Sequence, residues 1–217
     1  MRSRLLGLAP EHGRARGGEG ERFRAKRRAQ HPGFRAAVLA DARVYLQHRG
    51  ESGGEPGNLY LVAQALRLAL VSDAFLAQAM YRLKARLQGL SVPILPRICH
   101  RLAIMLGQVA IGDPVLVRPG VYLAHGQVVI DGITEIGAGS VISPFVTVGL
   151  LTGNFQGPTV GPRVRIGTGA RVLGPIEIGA EARIGANSVV LGDVPEGATA
   201  VGAPARIAER SESAKRG

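Results

Sequence analysis

Five histidines and a single cysteine are the side chains in this 217-residue chain best suited to proton chemistry near neutral pH. His125 stands apart from the others. It is the only histidine between residues 109 and 200, and it lies beside the one irregular step in an otherwise regular pattern. A neutral imidazole can take a proton from a hydroxyl near pH 7, so His125 is the candidate general base. His12 and His31 fall in a basic N-terminal tail, and His48 closes a predicted helix, where the dipole favours its charged form. Cys99 and His100 are neighbours on another predicted helix. Adjacent helical residues point about 100° apart, so the two do not face each other, and Cys99 is read as a packing residue. Residues 109–200 hold no carboxylate pair at useful spacing and no Cys/His ligand cluster, so no metal is expected. Neither a G-x-x-x-x-G-K-[ST] loop nor a strand-linked G-x-G-x-x-G is present.

The elements that must position His125 follow from a repeat of six. From Val160 the chain reads V-G-P-R-V-R, I-G-T-G-A-R, V-L-G-P-I-E, I-G-A-E-A-R, I-G-A-N-S-V, V-L-G-D-V-P. Val160, Ile166, Val172, Ile178, Ile184 and Val190 lead these units. Val164, Ala170, Ile176, Ala182, Ser188 and Val194 take the fifth places. The same phase runs upstream through Ile111, Val117, Leu123, Ile130, Ile136, Ile142 and Val148. A period of six suits neither an α-helix nor a free amphipathic strand, but it is the spacing of a parallel β-helix. The predicted fold is therefore mainly β: a left-handed parallel β-helix of four to five coils, preceded by a small α-helical domain. The repeat falters twice. The step from Leu123 to Ile130 is seven, with His125 inside it, and the segment Leu150–Thr159 reads as a loop bulging from the prism. An extra residue in a regular ladder often re-aims a side chain at a functional site.

Four segments follow: a disordered basic tail over 1–33, an α-helical domain over 34–108, the β-helix over 109–200, and a C-terminal cap and tail over 201–217. Helices are expected from Phe34 to His48, from about Leu59 to Val71, from an N-cap at Ser72 to Gly89, and from about Leu95 to Leu106. Phe75, Leu76, Ala79, Leu83 and Leu87 are predicted as the buried face of the third, and Ile98, Leu102 and Met105 or Leu106 as that of the fourth. Residues 51–57, E-S-G-G-E-P-G, read as a linker. The net charge of +11 is concentrated in residues 1–50, where 12 Lys and Arg face 4 Asp and Glu, leaving +3 for the rest. That is the signature of a solvated tail, not of a nucleic-acid-binding face. No apolar run approaches the ~18–20 residues of a membrane span, and the lone Cys99 forms no intramolecular disulfide, which points to the cytoplasm.

Residues 111–207 resemble the bacterial serine acetyltransferases and related hexapeptide O-acetyltransferases. The likeness rests on Leu123-Ala124-His125-Gly126, Val146-Thr147-Val148-Gly149, Ile166-Gly167-Thr168-Gly169-Ala170-Arg171-Val172-Leu173-Gly174 and the closing Val201-Gly202-Ala203-Pro204-Ala205-Arg206-Ile207. The helical segment is similar to a shortened version of that family's N-terminal domain. The resemblance implies a homotrimer or dimer of trimers with sites between neighbouring prisms and acetyl-CoA as co-substrate. By the same resemblance His125 aligns with the catalytic base, and backbone N–H groups near Gly149 hold the thioester oxyanion. The turns at Gly169-Ala170 and Ala186-Asn187 line the pantetheine arm, and Arg206 meets a CoA phosphate. Three departures stand out: Ala124 and Ala110 replace acidic residues, and Gln156-Gly157-Pro158 replaces an Arg-His pair before proline. In the family that arginine helps receive the substrate carboxylate. L-serine is thus the default acceptor, a sugar or polysaccharide-precursor hydroxyl is the alternative, and a non-catalytic scaffold is the third reading. Asp113 or Asp131 is the candidate to orient His125.

Overall fold

A side chain that returns to the core at every sixth position obliges the backbone to turn a corner between returns. The computed structural model, which describes residues 26–51, 57–152 and 154–208, shows this as a left-handed parallel β-helix of five coils. The first coil is β1 (Val109–Ile111), β2 (Leu116–Val117) and β3 (Tyr122–Leu123). The second is β4 (Val128–Ile130), β5 (Ile133–Ile136) and β6 (Val141–Ile142). The third is β7 (Thr147–Gly149), β8 (Gln156–Val160) and β9 (Arg165–Ile166), and the fourth is β10 (Arg171–Leu173), β11 (Glu177–Ile178) and β12 (Arg183–Ile184). The fifth holds β13 (Val189–Val190), a bridge at Val194, and β14 (Thr199–Gly202). One parallel sheet stacks β1-β4-β7-β10-β13, a second β2-β5-β8-β11, and a third β3-β6-β9-β12-β14, to which β15 (Ala205–Ile207) adds antiparallel. The leading residues fill the prism, with Ile130, Ile136, Ile142, Val148 and Val172 fully buried. The fifth-place residues at the corners are small and also buried: Val164, Ala170, Ala182 and Ser188.

The register records each irregularity. Ile111 pairs with Ile130, nineteen positions on, so the first coil carries the single extra residue at the His125 turn. Ile136 pairs with Val160, twenty-four positions on, so six residues bulge out while the phase holds. That bulge is shorter than the sequence suggested. Gln156–Val160 forms β8, held against β5, because Gly157 and Pro158 tuck inward and Thr159 pairs with Glu135. The last coil is shorter still. Ile184 pairs with Ala200, sixteen positions on, and Val194 stands level with Ile178. Val194 therefore takes a leading place, not the fifth place its spacing from Val190 predicted.

Four helices precede the prism among the described residues, after a helical turn at 26–29: α1 (Phe34–His48), α2 (Asn58–Val71), α3 (Asp73–Gly89) and α4 (Leu95–Gly107). The Ser72 hydroxyl accepts from the Phe75 N–H and caps α3 as expected. The face that α3 buries is not the apolar stripe. Leu76, Ala79, Leu83 and Leu87 are only half-buried, whereas Gln78, Tyr81, Arg82 and Lys84 are buried beside Ala74, Phe75, Ala77 and Ala85. The reason lies in the open end of the solenoid. Backbone N–H groups of each coil donate to carbonyls of the next, as in Gly112 to Ile130 and Asp131 to Val148, so the first coil's carbonyls have no coil before them. Side-chain donors satisfy them. Lys84 Nζ donates to Ile111 O (2.6 Å), Tyr81 Oη to Val115 O (2.9 Å), Gln78 Nε2 to Val121 O (3.0 Å) and Tyr45 Oη to Leu123 O (2.9 Å). Arg82 donates to Val117 O and Arg118 O while paired with buried Asp41 at 2.9 Å.

α4 likewise reverses its predicted face. It buries Pro96, Cys99, Ala103 and Gly107 and leaves Ile98, Leu102, Met105 and Leu106 outward. Close approach to α3 selects small residues, since a Cβ on Gly107 would lie 2.6 Å from Ala77 Cβ and from Asp73 O. Residues 26–33, assigned by composition to the disordered tail, include Arg27, which donates to Pro114 O and Thr134 O, and His31, whose ring packs edge-on to Tyr81 at 6.0 Å. Residues 1–25 with His12, the linker residues 52–56 and residues 209–217 lie outside the described residues. No single helix among the described residues is long and apolar enough to cross a membrane.

Candidate active site

The turn from β3 to β4 carries His125, and its shape follows from its neighbours. A Cβ on Gly126 would lie 2.2 Å from Gly107 O, so only glycine lets the turn seat on the end of α4. Gln127 takes φ +62, and its N–H donates to Gln108 O at 2.7 Å. Pinned on one side by α4, the extra residue pushes the His125 imidazole outward, where it is exposed. It lines a cleft of about 470 Å³ whose walls are the end of α1 (Tyr45, Arg49), the α2–α3 junction (Val71, Ser72, Asp73, Ala74) and Tyr122. Tyr122 is held there by a parallel stack on His48 (4.0 Å, 13°) and an edge contact with Tyr45 (4.7 Å). His48 Nδ1 in turn bonds Val44 O at 2.9 Å.

Within one chain both aspartates expected to orient His125 bond other groups. Asp113 pairs with Lys84 Nζ at 3.0 Å, and Asp131 Oδ1 accepts from the Gly132 N–H at 2.7 Å. Burial pushes the Lys84 ammonium down, and Asp113 partly restores it; Lys84 in turn holds the Asp113 carboxyl below the usual range, against its own desolvation. These charges serve the helix–prism joint. Cys99 is buried, and desolvation raises its thiol. His100 lines a separate cleft with Arg97, Arg101 and Asp113. Among the described residues no group of three or more His, Cys, Asp or Glu is placed to hold a metal ion.

The other candidates divide between two edges. His125, Gly169, Ala170, Ala186 and Asn187 all lie on the edge where the third sheet turns into the first. Their turns stack: the Gly169 N–H donates to Pro144 O and the Asn187 N–H to Thr168 O, both 2.8–3.0 Å. Gly169 at φ +74 faces the Asn187 side chain, and a Cβ there would lie 2.0 Å from Asn187 Oδ1. Ala170 turns its methyl into the core, so only its backbone reaches the edge. Arg171 Nη1 donates to Phe145 O and to Gly169 O, pinning two of these turns together. Below His125 the edge exposes the Phe145 ring, then small side chains and backbone at the Gly169 and Asn187 turns, where a slender pantetheine arm could lie. Arg206 lies at the far end, on β15, beside a second cleft lined by Leu191, Asp193 and Pro204. From β3 to β15 is five inter-strand steps in the third sheet, on the order of 24 Å.

Gly149 is elsewhere. It ends β7 opposite Leu173, level with Asp131, where the first sheet turns toward the second. That level is six positions along the chain from His125, on the order of 15–20 Å at the rise of a strand. One chain does not bring His125 and Gly149 together. The sequence reading missed Arg49 and Asp73, which reach the His125 cleft through the docking of α1 and α3, and Tyr122, which lies on β3 three positions before His125.

A parallel β-helix with an imidazole at an irregular corner defines a class, and comparison with known proteins places the chain within it. Residues 157–192 match the family profile described as bacterial transferase hexapeptide (six repeats). A serine acetyltransferase of Helicobacter pylori J99 is 43% identical over 130 residues, 58% of this chain and 75% of that protein. One from Synechocystis is 42% identical over 139 residues, 62% of this chain and 55% of that protein, so the chain spans little more than half of that relative's length. The structure of soybean serine acetyltransferase complexed with serine superposes with a TM-score of 0.69 at 31% identity, over 83% of this chain and 71% of that one. A serine acetyltransferase complexed with CoA gives 0.64 at 30%, over 78% and 68%. The chain belongs to the serine acetyltransferase family of hexapeptide-repeat proteins.

Proposed function

We propose that the protein is an acetyl-CoA-dependent O-acetyltransferase of the cytoplasm, with L-serine as acceptor and His125 as general base. A ring nitrogen of His125 takes the acceptor's hydroxyl proton as the oxygen attacks the thioester carbonyl. The carbon–sulfur bond then breaks, and the CoA thiolate leaves to be protonated as the ester is released. The observation that carries this reading is the seven-residue step, which turns one imidazole out of a strict ladder into a cleft and onto the same edge as the Gly169 and Asn187 turns.

In this reading the pantetheine arm lies along that edge past Gly169, Ala170, Ala186 and Asn187, and Arg206 at its far end receives a phosphate by charge-assisted hydrogen bonds. Because Gly149 stands on the opposite edge, its backbone meets the thioester oxygen only where a second prism is docked. Each site is therefore shared by two copies, and the resemblance to serine acetyltransferases makes the active species a homotrimer or a dimer of trimers. Preorganised donors at such a position are typically worth ~3 kcal/mol in the transition state.

The test is thiol release from acetyl-CoA against a panel of L-serine, homoserine, amino sugars and sugar nucleotides. Release with L-serine supports the reading, and release confined to a sugar acceptor replaces the substrate while keeping the chemistry. Silence with every acceptor together with no calorimetric binding of acetyl-CoA is the result for a scaffold.

A further inference from the structure

We propose that Arg49 and Asp73 make the His125 cleft selective for a zwitterionic amino-acid acceptor, Arg49 receiving the carboxylate and Asp73 the α-ammonium. The inference rests on the reading of His125 as the base for a small hydroxyl acceptor. It starts from the two charged side chains, Arg49 and Asp73, that line the cleft with His125.

The fold brings them together from two elements. Arg49 follows the last residue of α1, and Asp73 is the first residue of α3. The two elements form different walls of the same cleft of about 470 Å³, with His125 on the turn below them. A volume of that size accommodates a small acceptor together with the reacting end of a donor. Two opposite charges on different walls complement a molecule that carries one carboxylate and one ammonium. A neutral sugar would cover both charges and offer neither an opposite one, which costs affinity.

Both side chains have capacity to spare. Arg49 uses Nε on Glu51 (2.8 Å), a carboxylate that it shares with Arg67 (2.6 Å). Two guanidiniums against one carboxylate leave a net positive charge at this rim, and the two arginines hold the Glu51 carboxyl at about 2, so it stays ionised at neutral pH. The terminal nitrogens of Arg49 make no hydrogen bond among the described residues, and Asp73 forms no ion pair among them. An acid in the first turn of a helix also favours the helix dipole, which is the purely structural role open to Asp73. Such a role would alter stability and leave acceptor selectivity untouched.

Selectivity is therefore the readout. Initial rates of thiol release from acetyl-CoA are measured with L-serine, with serinamide, which lacks the carboxylate, and with 3-hydroxypropionate, which lacks the ammonium. The unaltered protein should prefer L-serine to both. In Arg49→Gln the KM for L-serine should rise by about ten- to hundredfold, the worth of one charge-assisted hydrogen bond. Its preference over serinamide should collapse, with the KM for acetyl-CoA unchanged. Arg49→Lys should restore part of that preference. Asp73→Asn should lose the preference over 3-hydroxypropionate alone. Each comparison is a ratio within one variant, so a loss of folded protein cancels. Variants that keep the original selectivity while the unaltered protein acetylates serine overturn this inference and leave the reading of His125 standing. If the unaltered protein releases no thiol with L-serine, the parent reading falls and this inference falls with it.

Discussion

At the scale of single residues, a histidine is defined by what surrounds it. His125 is exposed on a turn shaped by Gly126 and Gln127, whereas His31 is packed against Tyr81 with Nδ1 unpartnered. Burial, and then the neighbouring charges of Arg82, Lys84, Arg27 and Arg118, push the His31 imidazole down to about 4. The folded protein thus holds His31 neutral where the unfolded chain, titrating near 6.5, binds a proton. That contribution to stability is fully present above pH 6.5 and is lost as pH falls toward 4. Thermal melts of the wild type should drop steeply across that window, and His31→Leu should flatten the drop. His125 was legible in the sequence because one inserted residue breaks a strict period. His31 was not, because a residue beside a basic tail carries no sign of the helix that will cover it.

At the scale of elements, α3 works as a row of donors. Gln78, Tyr81, Arg82 and Lys84 meet the carbonyl oxygens that the first coil leaves without partners, and Asp41 neutralises Arg82 from α1 while accepting from the Gly120 N–H at 2.8 Å. Replacing Asp41 by Ala would leave a buried, uncompensated guanidinium. It should cost about 3–5 kcal/mol in chemical denaturation and loosen the helices from the prism. The prism's coils, the position of its loop and the extents of α1 and α3 could be read from period and capping. The buried faces of α3 and α4 could not. Apolar periodicity assumes that a helix packs on side chains, whereas α3 packs on backbone carbonyls and α4 on a glycine contact at Gly107. The two-residue contraction that moves Val194 into a leading place was hidden for a similar reason, since valine suits either place.

At the scale of the whole molecule, His125 and Gly149 lie on different edges of one prism, and the account requires two copies to complete a site. Gly149 is buried beside Asp131 but has room for a Cβ, which would meet nothing closer than 3.5 Å. Gly149→Asp, with its assembly checked by sedimentation, should place a carboxylate where the proposed reaction develops negative charge on the thioester oxygen. Made separately, His125→Ala and Gly149→Asp should each be inactive. Co-expressed in equal amounts, they should recover about a quarter of wild-type activity, because random trimers join an intact His125 to a neighbour's intact Gly149 at that frequency. A site built within one chain would recover nothing.

The central claim is that the imidazole of His125 drives acetyl transfer to a hydroxyl. Its most direct test is the rate of thiol release from acetyl-CoA with L-serine, measured for the wild type and for His125→Ala at the same assembly state by sedimentation. The account predicts serine-dependent release that falls by about two to four orders of magnitude in the variant. Serine-dependent release that is undiminished in His125→Ala would contradict it.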